Sequence, residues 1–493
     1  MLERKWWALI AVCTAIFMLL LDITIVNVAL PDVESDLDAS FSQLQWIIDA
    51  YALTLATFML TAGSLADLLG RKRVFVVGLG FFTVTSFLCG IANTAGFLIA
   101  ARAAQGVGGA IMFATSLALL SQEFHGRERG TAFGIWGATI GAAVAIGPLA
   151  GGILTTGLGW RWIFFINVPI GIAAVVLSIA RLHESKDPTR ARIDWLGLGT
   201  LTGFLFLLVY ALLEGNEKGW HSAFILGCIA VSLVLGLAFV VAELVQRDPM
   251  LDVRLFRGRS FVGAQVAAFC LSAAIFSQFL YLTLYLQNIL GYSALGAGLR
   301  FLPISALAFV AAIVSGNLTA TLPARLLLST GLALVGLSLV LMHGVTTSSA
   351  WTTLLAGFVV AGIGIGTTNP ALASTSIAVV PPERAGMASG TNNTFRQIGI
   401  ATGIAGLGAI FQHRIASSLS ATLHADVPHD LVRGVAAGGS PAALGSAADE
   451  AFISALNAIF LVSAGIAFVG AVVVLLLVRS RDLSHGRAPA AEA

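Results

Sequence analysis

Charge is what this chain has least of. Only 11% of its 493 residues are Asp, Glu, Lys or Arg, against 57% hydrophobic. Soluble domains carry roughly 25% charged residues, so this composition excludes a soluble enzyme and a disordered chain. The formal net charge of +2 is too small to steer a polyanion, which excludes a nucleic-acid partner. Cysteine is scarce too. Cys13, Cys89, Cys228 and Cys270 all sit inside apolar runs, where they read as small hydrophobic filler rather than as disulfides or metal ligands. No Gly-x-x-x-x-Gly-Lys-Ser/Thr loop is present to cradle a phosphate, so an ATP-driven pump is not expected. Neither a cofactor nor a cluster of nucleophiles or metal ligands is expected, which argues against a membrane enzyme. There are 13 prolines but 53 glycines, a balance that suits closely packed membrane helices.

Long apolar runs are abundant. Runs of roughly 18–25 residues read as membrane-crossing helices, and fourteen are placed. They lie near 7–30, 43–64, 74–93, 97–121, 131–155, 162–181, 194–213, 221–243, 261–287, 295–316, 325–343, 351–376, 387–411 and 452–478. The first follows Arg4 and Lys5 but is too long for the apolar core of a signal peptide. With both termini in the cytoplasm, 20 of the 27 basic residues fall on inner segments, four on outer segments and three within spans. That bias supports an even number of spans in a cell membrane. The loop at 412–451 carries His413, His424 and His429, which are expected to be solvated.

The chain also repeats itself. Gly63-Ser64-Leu65 returns as Gly316-Asn317-Leu318, Gly106-Val107-Gly108 as Gly362-Ile363-Gly364, and Glu128–Gly134 as Glu383–Gly390. The offsets are nearly equal, so six spans repeat as six, with two inserted between. Two parallel repeats about the membrane normal are a transporter architecture. The expected divisions are a six-helix bundle at 1–181, two inserted helices with linkers at 182–260, a second six-helix bundle at 261–478 and a cytoplasmic tail at 479–493. The halves differ in charge: Asp67, Arg71 and Arg102 correspond to Ala320, Ala324 and Phe358. Coupling electrostatics are therefore expected in the N-terminal half.

Several residues are candidates for chemistry. A carboxylate inside hydrocarbon is costly and usually faces a cavity or a partner. Asp22, in the first span, is accordingly a candidate proton carrier, with a structural ion pair as the plain alternative. Arg102 stays charged and can hold such a carboxylate. Gln45, Trp46 and Asp49 share a face of the second span. They read as an aromatic and acidic cavity wall, or as an interfacial belt. Asn392, Asn393 and Arg396 form a polar stripe on the thirteenth span that must look inward. Gly63, Asp67, Gly70 and Arg71 make a tight turn after the second span, in which Asp67 can sit against a helix N-terminus or accept from Arg129. Gly147, Pro148, Gly151 and Gly152, with Gly134, Gly137 and Gly141, suggest a kinked fifth span packed tightly across the interface between the halves.

These segments resemble the major facilitator superfamily, in its fourteen-span drug/proton antiporter branch. Gly63–Arg73 is similar to that superfamily's loop signature, with Leu68 where a basic residue is usual. Gly147–Gly152 is similar to the antiporter signature of the fifth span, with Ala143 where glycine is common. Leu21–Pro31 and Trp160–Pro169 resemble further patterns of the branch, and Arg102 matches a fourth-span arginine associated with proton coupling. The resemblance implies an all-α major facilitator fold working by alternating access as a monomer. It also implies proton-driven export of hydrophobic, often cationic, drug-like molecules. Export of an endogenous metabolite, lipid or siderophore stays open beside it.

Overall fold

A computed structural model describes residues 3–186, 194–246, 249–319, 321–381, 384–424, 427–439, 444 and 446–479. Ala320, Glu383 and the tail beyond 479 lie outside the described residues, as do parts of the 182–260 linkers and of the 412–451 loop. Every described element is helical. The first six long helices are α1 (Arg4–Leu37), α2 (Phe41–Leu69), α3 (Arg71–Gly90), α4 (Ala95–Glu123), α5 (Gly126–Leu158) and α6 (Trp162–Arg181). Two more follow, α7 (Trp195–Lys218) and α8 (Ala223–Val245). The last six are α9 (Arg259–Ile289), α10 (Ala294–Leu318), α11 (Ala324–Met342), α12 (Leu355–Ala378), α13 (Ala385–Leu423) and α14 (Ser446–Leu477). Thirteen of these contain segments long and apolar enough to cross a membrane. The remaining one, α5, is 33 residues long and occupies the expected fifth place.

Helix starts follow the local sequence. Ser40 and Gln43 form a reciprocal capping box on α2, which satisfies two amides that the helix cannot pair itself. Thr94, Asp194, Ser222 and Ser293 accept from the first turns of α4, α7, α8 and α10. Between α2 and α3, Gly70 has φ +109°, a conformation that only glycine adopts at little cost.

The packing repeats with an offset of eight helices. In the first bundle α1 packs on α4, α5 and α6, and α4 and α6 on α3, and α2 on α4. In the second, α9 packs on α12, α13 and α14, α12 and α14 on α11, and α10 on α12. The contacts between bundles obey the same rule: α5 meets α10 and α12, while α13 meets α2 and α4. The fold is therefore two six-helix repeats related by a pseudo-two-fold, plus two inserted helices.

The two inserted helices are placed differently. α8 is peripheral and packs chiefly on α7, with Leu233, Leu237 and Val245 exposed. Its polar Ser232 turns inward to donate to the Phe204 carbonyl at 3.1 Å. The α7 helix, however, lies along the seam between α2 and α13. Its Val209 packs with Leu53, Ala56 and Ala401, filling a gap that the two-fold leaves on one side only.

Candidate functional site

The strongest polar cluster lies inside the first bundle. Asp22 and Arg102 are each 1% exposed. Arg102 donates through Nη1 to Asp22 Oδ2 at 2.5 Å and to Gln105 Oε1 at 2.8 Å. Gln105 Nε2 and Asn167 Nδ2 donate to Asp22 Oδ1 at 3.0 and 2.9 Å. Arg102 also donates to the Ile47 carbonyl at 3.2 Å and lies over the Tyr51 ring at 4.2 Å. Asn167 is fixed in turn by Ser86 at 3.0 Å. The carboxylate thus receives three donors from two helices, α4 and α6, while sitting on α1. A charge so enclosed is tolerated because every oxygen is paired.

Asn167 and Tyr51 were not singled out in the sequence. Asn167 had a signal, since it is an amide within an apolar run; Tyr51 had none.

A second cluster closes one end of the molecule, the end at which α1 begins and the Arg71–Arg73 turn lies. Asp67 accepts from Arg71 at 2.8–2.9 Å. It also accepts the amides of Gly386 at 3.0 Å and Met387 at 2.8 Å, at the start of α13. A carboxylate against free helix amides is favourable on both charge and hydrogen-bonding grounds. Of the two partners expected for Asp67, the structure uses the helix and not Arg129. Arg129 stands over Phe133, 5.3 Å from its centroid, with Nε and Nη2 buried and unpaired. The reason is positional: Arg129 is on α5, beside the seam with α10, whereas Asp67 is at the seam of α2 with α13. Glu184, from beyond α6, accepts the amides of Lys72 and Arg73 at 3.1 Å each and caps α3 from a distance.

Two backbone seams accompany this cluster. A Cβ on Gly63 would fall on the Gly386 carbonyl, and one on Gly130 on the Gly316 carbonyl. Thr131 donates to Asn317 Oδ1 across the second seam at 3.1 Å. Along α5, Gly134, Gly137 and Gly141 face Ala312, Asn369 and Ala308 of the second bundle. Gly147 and Gly151 do not reach that interface. They pack on Thr24, Ile25 and Val28 of α1, and a Cβ on Gly152 would meet none of the described atoms within 4 Å. The interface role expected for the whole glycine series therefore holds only for its first part, because α5 turns its later face toward its own bundle. The α5 helix runs unbroken through Pro148; the side chain of Pro148 lies outside the described residues.

The two expected cavity walls are separate. Gln45, Trp46 and Asp49 are partly buried on α2, and Trp46 packs on Tyr210 of α7 with centroids 5.8 Å apart. Asn392 and Asn393 are buried on α13. Asn392 Nδ2 donates to Gln265 at 3.4 Å and Asn393 Nδ2 to the Phe113 carbonyl at 3.5 Å. Arg396, one turn on, is 7% exposed and lies 5.8 Å from the centroid of Phe276.

The Major Facilitator Superfamily family model matches residues 12–404. The Multidrug resistance protein Stp of Mycobacterium tuberculosis is 35% identical over 431 residues, covering 87% of this chain and 80% of that one. A protein named as a probable actinorhodin transporter, from Streptomyces coelicolor, is 36% identical over 85% of this chain and 75% of its own. Among solved structures, the human organic anion transporter TETRAN superposes with a TM-score of 0.67 at 13% identity, covering 96% of this chain and all of that one.

Proposed function

Because the chain belongs to the Major Facilitator Superfamily, we propose that it exports amphipathic, drug-like molecules across a cell membrane by alternating access, driven by inward proton movement. The distribution of basic residues supports cytoplasmic termini. The closed end is then the cytoplasmic one. Alternating access would work between the two bundles of one chain, so a monomer suffices.

The observation that carries the coupling is the enclosed Asp22–Arg102 pair with its Gln105 and Asn167 donors. A proton and Arg102 compete for the same carboxylate, and α1, α4 and α6 move together only while the pair holds. Coupling needs such a differential interaction between two states. The drug-like substrate class is supported by relatives named for multidrug resistance and for actinorhodin transport.

The reading is tested in inside-out vesicles. An imposed pH gradient should drive uptake of a lipophilic dye by the wild type. Asp22→Asn should bind the dye and fail to concentrate it. Undiminished gradient-driven uptake by Asp22→Asn would remove Asp22 as the carrier.

A further inference from the structure

Arg396 is an interior cation that the coupling cluster and the closed end leave unused. It lies about 17 Å from the start of α13 at 1.5 Å per residue, well inside the helical bundle. Arg102 has Asp22 and Arg71 has Asp67. Among the described residues Arg396 shows no ion pair or hydrogen bond, only the Phe276 ring. Charged groups at this depth are kept where they meet a cavity or a partner, and no ion pair among the described residues reaches Arg396.

Phe276 links the cation to apolar space. It lines a narrow pocket with Ile140, Phe279, Ile304 and Ser305 between α5, α9 and α10. It also ends a π turn, Ser272–Phe276, in the middle of α9, a widening that recurs at functional sites. One turn before Arg396, the Asn393 Oδ1 is buried without a donor. A cation, an unmet acceptor and an apolar wall therefore adjoin one another.

We propose that Arg396 seats the anionic group of a transported amphipath, whose apolar body lies along Phe276 into the pocket. The proposal rests on the transport reading and sharpens it: this seat selects an anion, where the sequence pointed to cations. An anionic lipid headgroup shares that chemistry, and the test separates the two.

The experiment is equilibrium binding by fluorescence polarisation, with the full chain in phosphatidylcholine nanodiscs. The probes are fluorescein, an anionic xanthene, and tetramethylrhodamine methyl ester, a cationic one. Arg396→Gln should raise the Kd for fluorescein roughly tenfold, and Arg396→Lys should hold it within about threefold. The cationic dye should bind both variants at least as tightly as the wild type, which also reports that they fold. Absence of fluorescein binding to the wild type, an unchanged Kd in Arg396→Gln, or equal weakening of both dyes would overturn the proposal. Adding phosphatidylglycerol should leave fluorescein affinity unchanged. A loss as large as that from Arg396→Gln would make lipid the occupant and overturn it as well. Binding needs no gradient, so failure here is distinguishable from failure of the proton-coupling assay.

Discussion

Asp67 and Gly386 are 319 positions apart in sequence and share a hydrogen bond of 3.0 Å, amide to carboxylate. That bond ties the end of one bundle to the first turn of the other. Asp67→Asn keeps one of two acceptor oxygens and loses the charge that Arg71 and the helix amides favour. The closed end should lose about 1–2 kcal/mol. Spin labels at the ends of α2 and α13 should then show a longer, broader distance distribution by pulsed EPR. An unaltered distribution would mean the bond is incidental.

Gly63→Val and Gly130→Val should each prevent closure, because the added atoms fall on the Gly386 and Gly316 carbonyls. Overpacking of this kind costs roughly 1–3 kcal/mol, and backbone atoms cannot move aside as a side chain can. Either substitution alone should abolish gradient-driven uptake while the protein still reaches the membrane. The same EPR labels would show the end held open.

Arg102→Ala should be worse for stability than Asp22→Asn. Removing one partner of a buried pair costs ~3–5 kcal/mol, and alanine also empties the space that Arg102 fills, whereas asparagine keeps the size of Asp22 and one of its two acceptor oxygens. Thermal melts of the two purified variants should rank in that order, and both should lose coupled uptake. Equal melts would overturn this ranking.

Trp46→Ala and Tyr210→Ala should alter which compounds are exported, and their effects should not add. The two rings touch at 5.8 Å, and contacting residues commonly couple by 0.5–3 kcal/mol, with about 1 expected here. Resistance profiles of the single and double variants measure this directly. Strict additivity would place the rings in separate sites.

The Asp36 carboxyl, beyond the membrane-crossing part of α1, is held below its ordinary value by hydrogen bonds from Arg161, at 2.6 Å, and Trp160, at 3.1 Å. A depressed carboxyl contributes stability above its unfolded value of about 3.9 and loses it as pH falls through the lower folded value. Asp36→Asn should therefore lower the melting temperature at neutral pH and change it little in strong acid. A pH series of melts checks the sign.

Hydropathy made the fourteen helices legible, because a bilayer demands about 20 apolar residues of each span. It misplaced the helix ends. α13 runs to Leu423, well past the apolar run, since Ile415 and Leu419 still find fully buried positions. α1 continues to Leu37 on the same grounds, with Val33 buried. Asp22 and Arg102 could be recognised as costly, and the structure brings them together. Asn167 and Glu184 could not be paired with anything, because their partners come from helices distant in sequence. The π turns of α9 left no trace in composition, since Ser272–Phe276 reads as ordinary apolar helix.

The glycine seams have a kinetic consequence. Where Gly63 lies on Gly386 and Gly130 on Gly316, backbone meets backbone, and the side-chain links to break are few: Asp67 to the Gly386 and Met387 amides and Thr131 to Asn317. Beyond those, parting the surfaces is chiefly the wetting of peptide groups that were dry. The barrier to opening is then governed by water entering a smooth slot, so it should respond to osmolytes and solvent viscosity more than to trimming neighbouring side chains. The two slots are equivalent under the pseudo-two-fold. Opening one slot should therefore loosen the other, with both parting together.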